Sequence, residues 1–169
     1  GACLSAEHMN KIAQIRQAGD FPFPADRLGA ETAVGRANAI HVDRVLSLVD
    51  VTGISSRRFH VALDTVNGAG CAGAATLLSK LGCEIVHLND EPDGRFGRGP
   101  EPVADNLADL CNAVRSRRAD LGFALDPDGD RLAIVDETGY CPGEEYTLAL
   151  CAAYTLSHRT GAIATNLST

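Results

Sequence analysis

The run ALDPDGDRLAIVD, residues 124–136, sets Asp126, Asp128 and Asp130 two positions apart and follows the last at once with Arg131. Like unit charges about 4 Å apart repel by about 4 kcal/mol at an effective dielectric constant near 20. Three carboxylates aimed into one volume therefore call for a positive partner. Pro127 fixes its own φ and pushes Asp126 toward extended backbone, while Gly129 opens φ values closed to other residues. Together they allow a compact bend on which alternate side chains converge. Carboxylate oxygens are hard ligands, which selects Mg²⁺, Mn²⁺ or Ca²⁺ and not zinc. Three monodentate aspartates leave an octahedral Mg²⁺ about three positions for water or a phosphate oxygen. Three carboxylates and a dication sum to −1, and Arg131 returns the site to neutrality, so an incoming phosphate is not repelled. The chemistry this suits is phosphoryl transfer.

Two other readings of the same residues stand beside that one. Asp and Gly are ordinary turn residues, so the bend can be a solvated acidic turn. It can also be a non-enzymatic Ca²⁺-binding module, since Asp126, Asp128, Asp130 and Glu137 fall on positions 1, 3, 5 and 12 of an EF-hand loop. Against the latter, the sixth position, which needs glycine, is Arg131, and the flanks are apolar and β-like instead of helical.

A second motif is GAGCAG, Gly68 to Gly73, which matches G-x-G-x-x-G after a strand and before a helix, with Asp90 about twenty residues further on. It raises the alternative of a dinucleotide-binding, Rossmann-like domain. Four residues, DTVN, separate the last apolar strand residue from the first glycine, where that fingerprint wants an almost immediate turn. Close packing of a helix on a strand accounts for the glycines equally well. Arg95 and Arg98, on a Gly-rich loop, are candidates to approach a phosphate. His8, His41, His60, His87 and His158 show no paired spacing and read as surface or packed residues. Glu144 and Glu145 begin a helix, where acidic residues complement the dipole.

The elements that must position these residues follow from periodicity. Ser5 caps a short helix bearing Met9, Ile12, Ala13 and Ile15 and stopped by Gly19. Residues 22–35, rich in Pro and Gly, read as a linker. A helix over 37–50 places Ile40, Val45, Leu48 and Val49 on one side. Strands are predicted over 59–64, 83–90, 119–126 and 131–136, and helices over 70–82, 103–118 and 144–159. A last strand is expected over 161–169. Alternating strands and helices predict an α/β domain of three layers, α/β/α, with a mixed, mostly parallel sheet. The two strands flanking the acidic bend are too close for a crossover helix and should pair antiparallel or continue past a sharp bend.

The bulk composition narrows the class further. With 169 residues, no Trp, 5% aromatics and abundant Ala, Leu, Val and Gly, the core must be built from small side chains. A formal charge of −7 with scattered basic residues argues against nucleic acid as a partner. No apolar stretch approaches a membrane span and residues 1–10 carry no signal-peptide pattern, so no membrane partner and a soluble, cytoplasmic location are expected. Among six cysteines there is no C-x-x-C pair, which reads as small buried hydrophobes in a reducing compartment.

DPDGDR resembles the metal-binding loop of the α-D-phosphohexomutases (phosphoglucomutase, phosphomannomutase and phosphoglucosamine mutase), whose usual form is D-G-D-G-D-R. VALDTVNGAG, PEPVADNL, ADLGFALDPDGDRLAIVDETG and the closing TNLST are similar to that family's second domain and the start of its third, in the right order. The resemblance implies a C-terminal helix of a first domain plus linker over 1–35, the metal-binding α/β domain over 36–159, and the first strand of a third domain over 160–169. It implies Mg²⁺ as cofactor on Asp126, Asp128 and Asp130, Arg131 as the catalytic neighbour of the phosphoryl group, and a hexose phosphate as substrate. In the family the phosphoryl group passes between a phosphoserine and the 1- and 6-positions of the sugar. The phosphoserine segment, the G-E-x-S-G-H sugar loop and the fourth-domain phosphate site do not occur in these 169 residues. GEEYT at 143–147 shares only letters with the sugar loop. The chain is therefore expected to need the remaining domains of the same enzyme and to be inactive alone.

Overall fold

The computed structural model describes residues 4–19, 30, 35–143 and 145–164. The chain divides into two compact units, Gly1–Val34 and Gly35–Thr169. In the first, helix α1 (Ala6–Ala18) starts at Ser5, whose hydroxyl accepts from the His8 N–H at 3.3 Å. It stops at Gly19, which takes the left-handed conformation at φ 66°. Both ends are those the capping residues predict. Most of the predicted linker lies outside the described residues.

The second unit opens with α2 (Ala37–Leu46), shorter than the single helix predicted over 37–50. Asp50 explains the break. Its carboxylate accepts from the Gly53 N–H at 2.9 Å and starts a separate helix, α3 (Val51–Arg57). A side chain that caps a new helix competes with continuing the old one.

Next come β1 (His60–Asp64), α4 (Cys71–Lys80), β2 (Glu84–Leu88), a 3₁₀ turn (Ala104–Asn106), α5 (Ala108–Arg117), β3 (Leu121–Leu125), β4 (Leu132–Val135) and α6 (Glu145–His158). The sheet order is β2-β1-β3-β4. β1 is parallel to both β2 and β3, while β3 and β4 pair antiparallel, with Leu125 opposite Leu132. The central position of β1 accounts for its unbroken apolar run, Val61-Ala62-Leu63, since it is covered on both faces.

Alternation along the strands divides the core between the two faces. Ala62, Ala124, Ala133 and Val135 meet Leu107, Leu110 and Val114 of the α5 layer. Val61, Leu63, Leu121 and Phe123 face Ala74, Ala75 and Leu78 of α4. The architecture is three-layer α/β/α. On the α5 side approach is close: a Cβ on Gly122 would lie 2.8 Å from Val114 Cγ2 and 3.1 Å from Val135 Cβ. Small residues on the sheet are what let the helix sit there.

Residues 160–164 carry no regular secondary structure, and the rest of the strand expected over 161–169 lies outside the described residues. Cys3 lies outside the described residues, and the described cysteines are less uniformly buried than expected. Cys71 is buried, Cys83, Cys111 and Cys141 are half-buried, and Cys151 is exposed on α6. Burial pushes the Cys83 and Cys111 thiols up. No helix among the described residues is long and apolar enough to cross a membrane.

Candidate metal centre

β1 and β3 lie side by side with Asp64 opposite Ala124, and the run Ala-Leu-Asp recurs at both carboxyl ends, closing β1 at Asp64 and reaching one residue past β3 at Asp126. The chain leaves β1 for β2 on one side and returns to β3 on the other. Strand order thus reverses between β1 and β3, and their carboxyl ends open where doubly wound sheets bind ligands. Asp126 is the residue that follows β3 at this point.

The bend from Asp126 to Arg131 is built as its residue types require. The Gly129 N–H donates to the Asp126 carbonyl at 3.2 Å with Gly129 at φ 77°, a conformation open to glycine. The Asp126 N–H donates to the Arg131 carbonyl at 3.4 Å and closes the β3–β4 ladder. One carboxylate oxygen from each of Asp126, Asp128 and Asp130 lies within 4.8 Å of the others, with Asp126 buried and the other two exposed. Pro127 and Gly129 therefore do bring the alternate side chains to one side.

Arg131 folds back over Asp126. Its backbone N–H donates to Asp126 Oδ1 and its Nε to Oδ2, each at 3.1 Å, and its Nη1 donates to Glu101. Burial alone would raise the Asp126 carboxyl, but the Arg131 N–H, the Arg131 side chain and Asp130 outweigh it and hold Asp126 below the usual carboxylate range. Asp130 is pushed the other way, first by its hydrogen bond with Asp126 and then by the charges of Asp128 and Asp126. The Glu101 bond, followed by that of Asp126, holds the Arg131 guanidinium still more firmly protonated than usual. The Arg131 Nε also lies 3.8 Å from Asp130 Oδ1, but one guanidinium shared among Asp126, Asp130 and Glu101 leaves net negative charge at the bend. Converging hard oxygens with residual negative charge fit an oxygen-preferring dication.

Residues 39–139 match the family model described as phosphoglucomutase/phosphomannomutase, alpha/beta/alpha domain II. The chain belongs to this phosphohexomutase family. A probable phosphoglucosamine mutase of Methanopyrus kandleri is 38% identical over 170 residues, 99% of this chain and 37% of the relative. The phosphoglucomutase/phosphomannomutase of Thermococcus kodakarensis is 39% identical over 124 residues, 73% of this chain and 27% of that protein. The crystal structure of a phosphoglucomutase/phosphomannomutase family protein from Burkholderia thailandensis superposes with a TM-score of 0.77 at 28% identity, covering 96% of this chain and 34% of that one. The chain spans between 27% and 37% of these longer proteins.

In this phosphohexomutase domain the glycine motif has another use than nucleotide binding. The Ala69 N–H donates to the Pro127 carbonyl at 2.8 Å. A Cβ on Gly68 would meet that oxygen at 2.5 Å, and one on Gly70 would meet Leu125 Cδ1 at 2.5 Å. Gly68 is covered by Pro127 and Gly70 by Leu125, so these two glycines serve close packing, and together with the family match this overturns the dinucleotide-binding alternative. The EF-hand alternative fails as well. Glu137 lies beyond β4, and four extended residues at about 3.3 Å each carry it away from Asp130.

The remaining candidates fall out by position. Arg95 is exposed beside Asp93. Arg98 is buried and faces inward, its Nε 2.9 Å from Asp64 Oδ2, so it offers a phosphate nothing at the surface. His87 is packed, with Nε2 2.9 Å from Thr65 Oγ1 and its pKa lowered by burial. Sequence reasoning missed Asp64 and Glu101. The repeated Ala-Leu-Asp ending was a usable signal for Asp64. Glu101 had none, because it meets Arg131 only through the fold.

Proposed function

We propose that this domain supplies the cation-binding loop of a cytoplasmic phosphohexomutase, with Asp126, Asp128 and Asp130 as Mg²⁺ ligands and Arg131 beside the transferred phosphoryl group. The whole protein then moves a phosphoryl group between the 1- and 6-positions of a hexose phosphate. The observation that carries this reading is the convergence of three carboxylate oxygens within 4.8 Å, one of them buried, at the switch point of a sheet of this family. Mg²⁺ bound there would supply Lewis-acid polarisation of a phosphoryl oxygen.

The chain's own residues prepare that site. Asp126 is held charged and oriented by the two hydrogen bonds from Arg131, so one ligand is preorganised. Arg131 is itself held by Glu101 and remains 43% exposed, which leaves part of its guanidinium open to an anion. Asp128 and Asp130 stand toward solvent, where an ion can reach them. The remaining domains of the same enzyme would bring the phosphoserine and the groups that read the sugar. Residues 1–35 would be the last helix of a first domain with its linker, 36–159 the metal-binding domain, and 160–169 the first strand of a third.

Titrating the chain with Mg²⁺ by calorimetry, or with Mn²⁺ by electron paramagnetic resonance, tests the reading. One binding event is expected in the wild type and none in Asp126→Asn or Asp128→Asn. Equal binding by those variants would overturn it. The isolated chain is expected to leave glucose 1-phosphate unconverted.

A further inference from the structure

We infer that Arg98 is a positioning residue for the metal loop, acting from behind it on the peptide that carries Asp126. The inference rests on the cation-site reading of that loop. Arg98 lies in the segment between β2 and α5, yet its side chain is only 8% exposed. Every edge of its guanidinium is engaged. Nε donates to Asp64 Oδ2 at 2.9 Å, Nη1 to the Gly99 carbonyl at 2.9 Å, and Nη2 to the Leu125 carbonyl at 2.7 Å. Asp64 is buried at 1% exposure and is fixed in turn by the Val66 N–H at 2.9 Å and Asn89 Nδ2 at 3.1 Å.

The Leu125 bond is the informative one. The Leu125 carbonyl and the Asp126 N–H belong to one peptide plane, which is rigid. Arg98 holds the carbonyl end, and the Arg131 carbonyl holds the N–H end at 3.4 Å. With both ends held, the direction in which the Asp126 side chain leaves the backbone is set. The fork of the guanidinium makes this possible, since one group can meet a carboxylate and a carbonyl at fixed angles. Asp64, at the end of β1, is the anchor from which Asp126, just beyond β3, is aimed. A buried ion pair is a weak source of stability but a strong constraint on geometry, which is what a ligand-bearing loop needs.

The test uses the full 169-residue chain with Arg98→Lys, which keeps a charge for Asp64 but loses the fork, and Val114→Ala, which weakens the α5 layer away from the loop. Two quantities are read: Mn²⁺ affinity, and hydrogen-exchange protection of the Asp126 and Gly129 amides relative to Val86 in β2. The expected result for Arg98→Lys is at least a tenfold loss of Mn²⁺ affinity and at least a tenfold loss of protection at Asp126 and Gly129 with Val86 unchanged. Val114→Ala should leave Mn²⁺ affinity within twofold. Should Arg98→Lys fail to fold, Arg98→Met combined with Asp64→Asn removes both charges and is read in the same way. Wild-type affinity and wild-type protection in the Arg98 variant would overturn the inference, as would an equal affinity loss in Val114→Ala. If the wild type itself binds no Mn²⁺, the cation-site reading falls, and the exchange data alone decide whether Arg98 positions Asp126.

Discussion

Gly68 and Pro127 lie against each other closely enough that a single methyl group would not fit between them: a Cβ on Gly68 would stand 2.5 Å from the Pro127 oxygen and 2.8 Å from its Cα. The contact joins the turn after β1 to the acidic bend after β3. Replacing Gly68 by alanine should therefore push the bend away from the turn. We expect a loss of about 1–3 kcal/mol, as for other overpacked sites, read as a lower urea midpoint with an unchanged slope. Mg²⁺ affinity should fall with it.

Asp64→Ala removes the partner of a buried guanidinium. Breaking such a pair from one side costs about 3–5 kcal/mol, because the remaining charge stays buried without compensation. Chemical denaturation should show this loss. A variant as stable as the wild type would mean that Arg98 finds another acceptor or reaches water.

Asp128→Asn should act in opposite directions with and without metal. Asp128 is exposed and its charge helps push the Asp130 carboxyl upward. Removing it relieves repulsion, so the metal-free variant should melt slightly higher than wild type. In millimolar Mg²⁺ the order should reverse, since a ligand that binds only the folded state stabilises it by mass action. Paired thermal melts with and without Mg²⁺ check both signs.

Acid sensitivity should be traceable in part to Asp136. Its Oδ1 accepts from the Thr138 hydroxyl at 2.6 Å and from the Thr138 and Tyr140 N–H groups at 2.9 Å each. The Thr138 hydroxyl first, and then the Tyr140 N–H, hold its carboxyl below the usual range. A depressed folded-state pKa gives stability that is present above the unfolded value, about 3.9, and is lost as the pH falls through the folded value. Asp136→Asn should therefore lower stability near neutrality and flatten the decline on acidification. Urea midpoints measured from about pH 6 to pH 2 would show parallel curves if Asp136 contributed nothing.

The chain's own residue order determined much of this protein. Capping by Ser5 and Gly19, the apolar run of β1 and the i, i+3, i+4, i+7 spacing of Leu107, Leu110, Cys111 and Val114 are local signals, and the corresponding elements form because each signal acts within a turn or two. The acidic bend was legible for the same reason: Pro127 and Gly129 shape it from inside. Asp50 was overlooked because one capping side chain inside an apolar helix pattern decides where the helix breaks. What only the tertiary structure decided were relations across long separations. Gly68 meets Pro127 because parallel β1 and β3 bring their carboxyl ends together, and Asp64 meets Arg98 and Arg131 meets Glu101 because the segment between β2 and α5 lies against those same ends. No periodicity records such pairs, since the same arginine in solvent and in a buried fork has the same neighbours in sequence. Packing alone turned Arg98 from a candidate surface ligand into a support, and the glycine motif from a nucleotide cradle into a seat for the acidic bend.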